Sequence, residues 1–426
     1  MTADPAAATR QAVQDIARAS YGRLVAYLAS VTGDMAAAED AMSEAFLAAL
    51  RTWPERGVPQ RPDSWLVTAA RRTLIDAARR RAVANRGLPE IARLLDEQST
   101  ATGPIVIPDK RLELLFACTH PVIDPAIRAP LMLQAVLGLD AARIGAAFLV
   151  APAAMGQRLV RMKATIKDKG VPFVVPDQEQ LPERVASVLD AIYAAYGTGW
   201  DELDTRAAPG VDDGLVPESI RLARLVTELL PDDPETHGLL ALLLHSNARV
   251  RARRSAEGTF VPLDRQDIAR WSRADMDAAE SHLSMALALG RVGPYQLHAA
   301  IQSVHNRRAV TGRTDWSAIA ALYTGLATAT PTVGVLVALA KARSHTDGPA
   351  AGLRLLDDLP VDRVAKYQPY WVALAHCRRR AGEHDGAVAA ARKAAALTAD
   401  DGVRRFLESE YRLDGRSPAA GAVGDP

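Results

Sequence analysis

The residues best suited to chemistry in this chain are arginines set beside an aromatic ring. In SWLVTAARRTLIDAARRR, Ser64 to Arg81, a helical wheel at about 100° per residue puts Leu66, Ala70, Leu74 and Ala77 on one narrow arc. Trp65, Arg72, Arg79 and Arg80 fall on the opposite arc, with Asp76 among them. Guanidinium groups neutralise phosphate and an indole stacks on an unpaired base, so this face suits nucleic acid. A solvated helix with an Arg-Asp-Arg ladder is the plain alternative. A second pattern lies in Leu139 to Asp168, where Met155, Leu159, Met162 and Ile166 share roughly 60° of arc and must pack inward. Ala153, Ala154, Gln157, Arg161 and Ala164 face outward, with Arg158 at the edge. Small residues let such a helix enter a major groove, where Gln reads adenine and Arg reads guanine. Asp140 as a cap, a turn at Val150-Ala151 and Pro152 in the next first turn complete a helix-turn-helix pattern. A buried pair of helices is its alternative.

The elements that must hold these faces are helices. Ala12 to Ser30 turns Ile16, Leu24 and Leu28 to one side, and Gly33-Asp34 then breaks the run and caps the next. Residues 36–53 put Met42, Phe46, Ala49 and Trp53 on one face and Glu39, Asp40 and Glu44 on an acidic flank, which suits a protein partner better than DNA. Solvated carboxylates, or a balance to the helix dipole, are the alternative. Pro54 to Pro62 is a proline-stiffened connector, and Asp63 stands where a cap would start the Trp65 helix. Residues 83–109 read as a spacer with a short amphipathic turn around Ile91 to Leu95, and VPFVVPD, residues 171–177, reads as a domain boundary. Beyond it the pattern predicts helices over 183–196, 217–230, 234–254, 265–289, 294–311, 316–328 and onward to Tyr411, with almost no strand signal.

Composition narrows the class. A chain of 426 residues exceeds one core and implies about two or three domains. Cys118 and Cys377 lie far apart, so a disulfide framework is not expected. Cys118 and His120 in CTHP are two ligand types without a second pair, so no metal is expected, and Cys118 reads as a small core residue. No uncharged apolar run reaches the length of a membrane span, and no basic-then-apolar start is present, so a cytoplasmic protein without membrane contact is expected. Residues 1–170 carry 22 Lys and Arg against 17 Asp and Glu, a net of +5, and residues 171–426 carry 29 against 33, a net of −4. The basic front fits nucleic acid only weakly by charge alone.

AEDAMSEAFLAALRTW, a loop, and DSWLVTAARRTLIDAARRR together resemble region 2 of extracytoplasmic-function (ECF) sigma factors of the sigma-70 family, whose pattern is AED-x-x-QE-x-F-x-x-x-W followed by W-x-x-x-x-AR-x-x-x-x-D-x-x-RR. The resemblance implies that Asp40, Glu44 and Phe46 dock on the β′ clamp of core RNA polymerase. It also implies that Trp65, Arg71, Arg72, Arg79 and Arg80 hold the promoter −10 element, while loop residues from Arg56 to Arg61 capture a flipped base. Ser43 stands where Gln is usual, and Arg72 where many members have Asn. Ala154 to Lys163, AMGQRLVRMK, is similar to T-V-x-S-R-L-x-R-A-R of region 4. That likeness implies −35 contacts by Ala154, Gln157, Arg158, Arg161 and Lys163, and a seat on the β flap. The implied organisation is region 2 over 1–82, a linker over 83–109, region 4 over 110–170 and an extension over 171–426.

AGEHDGAVAAARKAAALTAD, Ala381 to Asp400, resembles the second half of a tetratricopeptide repeat (TPR), though no clean 34-residue period appears. Residues 293–306, 314–323 and 347–359 resemble the C-terminal extension of the subgroup called ECF42. The fold expected is therefore all-α: two small DNA-binding domains followed by a TPR-like array of helical hairpins. His298, His305, His376 and His384 come without a nucleophile elbow, phosphate loop or zinc-protease motif. They read as hydrogen-bonding residues between helices, and neither enzymatic activity nor a cofactor is expected. A promoter-specificity subunit that binds core polymerase and promoter DNA is the first reading, with the array regulating it through a regulatory protein or a small ligand. A helix-turn-helix regulator that works without polymerase, carrying a helical scaffold, is the second.

Overall fold

Helix α1 (Pro5–Thr32) ends at Gly33, whose φ of 67° lies in the left-handed region that glycine adopts at little cost. Asp34 then caps α2 (Met35–Arg56) as its spacing predicts, accepting from the Ala37 amide at 3.0 Å. After the connector comes α3 (Pro62–Ala84). Here the structure corrects the sequence reading. Asp63 lies inside the first turn of α3, and its carboxylate accepts from Ser20 Oγ at 3.1 Å and pairs with Arg23, tying α3 to α1.

This computed structural model describes residues 5–84, 108–148, 150–177, 179–205 and 215–413. The Ile91 to Leu95 turn and nearly all of the expected 83–109 linker lie outside the described residues. Every regular element within them is helical, apart from one isolated antiparallel bridge between Arg254 and Phe260. The chain forms two compact units, Met1–Trp200 with Gly210–Leu225, and Asp201–Pro209 with Val226–Pro426.

In the first unit α1, α2 and α3 pack on one another through Leu24, Leu28, Met42, Ala49, Trp53, Leu66 and Ala70, all buried. Side chains of this size contribute about 1.5–3 kcal/mol each when fully buried, Ala less. Four helices follow: α4 (Arg111–Cys118), α5 (Pro125–Leu137), α6 (Ala141–Phe148) and α7 (Pro152–Asp168). Asp140 caps α6 through the amides of Ala142 and Arg143 at 2.9 and 2.8 Å, and Pro152 opens α7. Met155, Leu159 and Ile166 of α7 are buried as their periodicity requires, whereas Met162, expected to pack inward with them, is only half-buried. Helix α1 also packs against α4 and α5, and α2 meets α7, so the two halves share a core. Gly138, with φ 69°, ends α5 against the Tyr21 ring of α1, where a Cβ would stand 2.9 Å from Cδ1.

Helix α8 (Leu181–Thr205) and the start of α9 (Leu215–Leu229) also pack in this unit, although the resemblance assigns them to the extension. Arg184 is buried and donates to the Phe116 carbonyl at 3.2 Å. Arg111, 6% exposed, is held by Asp109 at 3.0 Å and by Glu218.

The second unit stacks α10 (Pro234–Asn247), α11 (Arg273–Ala288), α12 (Pro294–Asn306), α13 (Trp316–Ala329), α14 (Val333–Thr346), α15 (Pro349–Asp357), α16 (Gln368–Arg380), α17 (His384–Leu397) and α18 (Asp401–Tyr411), each against a neighbour in sequence. The expected helices over 234–254 and 265–289 are shorter than predicted. Residues 248–272 instead run as a strap with brief 3-10 turns. Long-range bonds outcompete local helix propensity there: Arg254 pairs with Asp400, Phe260 meets Phe406 edge-on at 5.7 Å, and Arg265 pairs with Glu410 at 2.7 Å. Buried polar groups glue α10 to α12. Arg249 donates to Asn306 Oδ1 and Gln302 Oε1 at 2.5 Å each, and Asn306 Nδ2 faces His245 Nδ1 at 3.0 Å.

Candidate nucleic-acid interface

Trp65 is half-buried and lies edge-on to Trp53, the rings 5.4 Å apart at 68°. Trp53 is sealed in the core, so it fixes one edge of Trp65 while the rest of that ring stays at the surface. Arg72 is exposed two turns further along α3, and Arg61 is exposed just before it. Arg56 is exposed at the end of α2, which runs through Pro54 into what the sequence suggested was a connector. Of the arc the sequence suggested, Trp65 and Arg72 reach the surface. Arg71 does not join them. It is 4% exposed, hydrogen-bonded to the Tyr27 hydroxyl and stacked over that ring at 5.3 Å, so in this structure it is part of the core. The side chains of Arg79 and Arg80 lie outside the described residues, though both positions are helical.

On α2, Asp40 and Glu44 are exposed. Phe46 is half-buried and stacks on Tyr21 with centroids 6.2 Å apart. Burial, with the carboxylates of Glu39 and Asp40 nearby, pushes the Tyr21 hydroxyl up to about 12. On α7, Gln157, Arg158 and Arg161 are exposed along one face and Ala154 is half-buried at its start, an arrangement able to meet a groove. Lys163 differs from them. Its ammonium donates to Glu39 Oε2 at 2.6 Å, with only 11% and 18% of the two side chains exposed. Lys167 pairs with Asp34 at 2.9 Å. Burial raises the Glu39 carboxyl pKa, and Lys163 offsets part of that rise. No sequence pattern announced these pairs, because each joins residues more than a hundred positions apart.

Residues 16–83 match the family described as Sigma-70 region 2, and that span contains Trp53, Trp65, Arg56, Arg61 and Arg72. This domain supports a sigma-70 family sigma factor. Region 2 implies binding to core RNA polymerase and promoter DNA. The domain points to a non-enzymatic transcription factor. Residues 184–287 match the family of unknown function DUF6596. An uncharacterized protein of Rhizobium meliloti (strain 1021) is 37% identical over 338 residues, covering 78% of this chain and 79% of that protein. No solved structure matches. Among the described residues, no helix is long and apolar enough to cross a membrane, and no group of three or more His, Cys, Asp or Glu is placed to hold a metal ion.

Proposed function

We propose that this chain is a sigma factor of the ECF type, similar to the ECF42 subgroup, that docks on core polymerase through Asp40, Glu44 and Phe46 and reads two promoter elements. Trp65 and Arg72, with Arg56 at the end of α2, Arg61 just before α3, and Arg79 and Arg80 further along α3, hold the −10 element. Helix α7 reads the −35 element as the second helix of a helix-turn-helix, through Gln157, Arg158 and Arg161. The observation that carries this reading is the half-buried Trp65 and exposed Arg72 inside the span that matches sigma-70 region 2. Arg71 supports their surface from beneath. The second unit is a TPR-like array that regulates promoter output.

The pairing of Lys163 with Glu39 supports a closed resting form, since it occupies a −35 residue with a residue of the acidic flank. Binding to polymerase and to DNA together requires that pair to open. A gel shift with promoter duplex, with and without core polymerase, tests the function. A sigma factor retards the duplex strongly only with core enzyme, whereas a polymerase-independent regulator shifts it alone.

A further inference from the structure

The second unit contains a polar cluster that promoter recognition does not use. Trp316 of α13 stacks flat on His345 of α14, with centroids 3.9 Å apart and planes 2° off parallel. His305 of α12 meets the same indole edge-on at 5.8 Å. His376 of α16 closes the series, its Nε2 lying 3.2 Å from His345 Nε2. Four helices of the array, α12, α13, α14 and α16, thus each send one ring to this place. Lys341 lies one turn before His345 on α14, and it is exposed. Among the described residues its ammonium makes no hydrogen bond or ion pair.

Lys341 is open to water yet crowded. Desolvation by the surrounding helices lowers its pKa, and its charge in turn helps depress those of His305, His345 and His376, so the imidazoles are neutral at pH 7. Two further cations stand by, bonded only to neutral groups: Arg308 to the carbonyls of Leu263, Asp264 and Gln266, and Arg380 to that of Ser344. Asp264 on the strap is the one carboxylate that acts on Lys341. The local balance is positive, and neutral imidazoles offer N–H donors at no further charge.

We propose that this cluster binds a small anion, the carboxylate or phosphate group of a low-molecular-weight effector, with Lys341 as counter-charge and His305, His345 and His376 as hydrogen-bonding walls. Arg308 holds the strap at residues 263–266 through the carbonyls of Leu263, Asp264 and Gln266. An anion on Lys341 replaces the long-range attraction of Asp264 with a direct charge-assisted bond.

Calorimetric titration of the full chain with inorganic phosphate, and separately with succinate, tests this at ionic strength held constant with chloride. Saturable binding of at least one anion is expected, and the pair of titrations distinguishes phosphate from carboxylate recognition. Lys341→Met keeps the unbranched stem without the ammonium and should weaken that binding about tenfold or more, about 1.4 kcal/mol. Lys393→Met, an exposed site on α17, should leave it unchanged. If Lys341→Met fails to fold, weaker binding by His376→Gln supports the same conclusion. Absence of saturable binding by both anions, or equal binding by the wild type and the foldable cluster variant, overturns the proposal. Neither polymerase nor DNA is present, so the result is independent of the sigma-factor reading.

Discussion

Lys163, on the helix assigned to the −35 element, donates a 2.6 Å hydrogen bond to Glu39, on the helix that carries the acidic flank. Both side chains are mostly buried, so neither can be removed cheaply. Lys163→Met leaves the Glu39 carboxylate desolvated without its counter-charge and should cost about 1–3 kcal/mol at neutral pH. The double variant with Glu39→Gln should recover most of that loss. A double-mutant cycle by urea unfolding checks it, and additive losses would show that the pair is not coupled.

Adjacent arginines on α3 should behave oppositely. Arg71→Ala removes a guanidinium packed over Tyr27 and should destabilise the first unit by about 2–4 kcal/mol. Arg72→Ala touches an exposed side chain and should change stability by no more than about 0.5 kcal/mol while weakening promoter binding by the polymerase complex. Thermal unfolding and gel shifts of the two variants separate these effects.

Acid should loosen the second unit early. Burial pushes the pKa of His245 down to about 3, of His305 and His376 to about 3, and of His345 to about 4, against about 6.5 when unfolded. Because the folded values are the lower ones, the unfolded chain takes up these protons first, so stability is full above about pH 6.5, falls as pH drops below 6.5, and stops falling only near the folded values of about 4 to 3. His245 is fully buried and alone contributes up to about 1.4 kcal/mol per pH unit across that window. Glu410, held down to about 2 chiefly by its bond to Arg265, adds a further loss below about pH 4.5. The urea midpoint of the second unit should therefore fall between about pH 7.5 and 5, and an unchanged midpoint would refute the assignment of neutral histidines.

Asn306 joins Arg249 to His245. Asn306→Ala removes the bond to Arg249 and those to the ring and carbonyl of His245, and should destabilise the second unit by about 2–3 kcal/mol, read as a shift in urea midpoint without a change in slope. A loss under about 0.5 kcal/mol would mean that water replaces the amide without penalty.

What was legible in the sequence was local. The caps at Asp34 and Asp140 and the inward row Met155, Leu159 and Ile166 depend only on neighbours within a turn or two, and the structure contains them. Arg71 looked like its neighbour Arg72, because the tyrosine that buries it stands 44 positions earlier. Asp63 looked like a cap, and its partners Ser20 and Arg23 are on another helix. The strap looked helical because the bonds that hold it extended reach Asp400, Phe406 and Glu410, at the cap of the last helix and along it. The Lys341 cluster was invisible for the same reason, as its rings come from four helices brought together only by folding.

Run-off transcription tests the central claim most directly. Core RNA polymerase with this chain should produce discrete transcripts from selected start sites, and Trp65→Ala together with Arg72→Ala should abolish them without unfolding the protein. A transcript pattern identical with and without the chain would contradict the account.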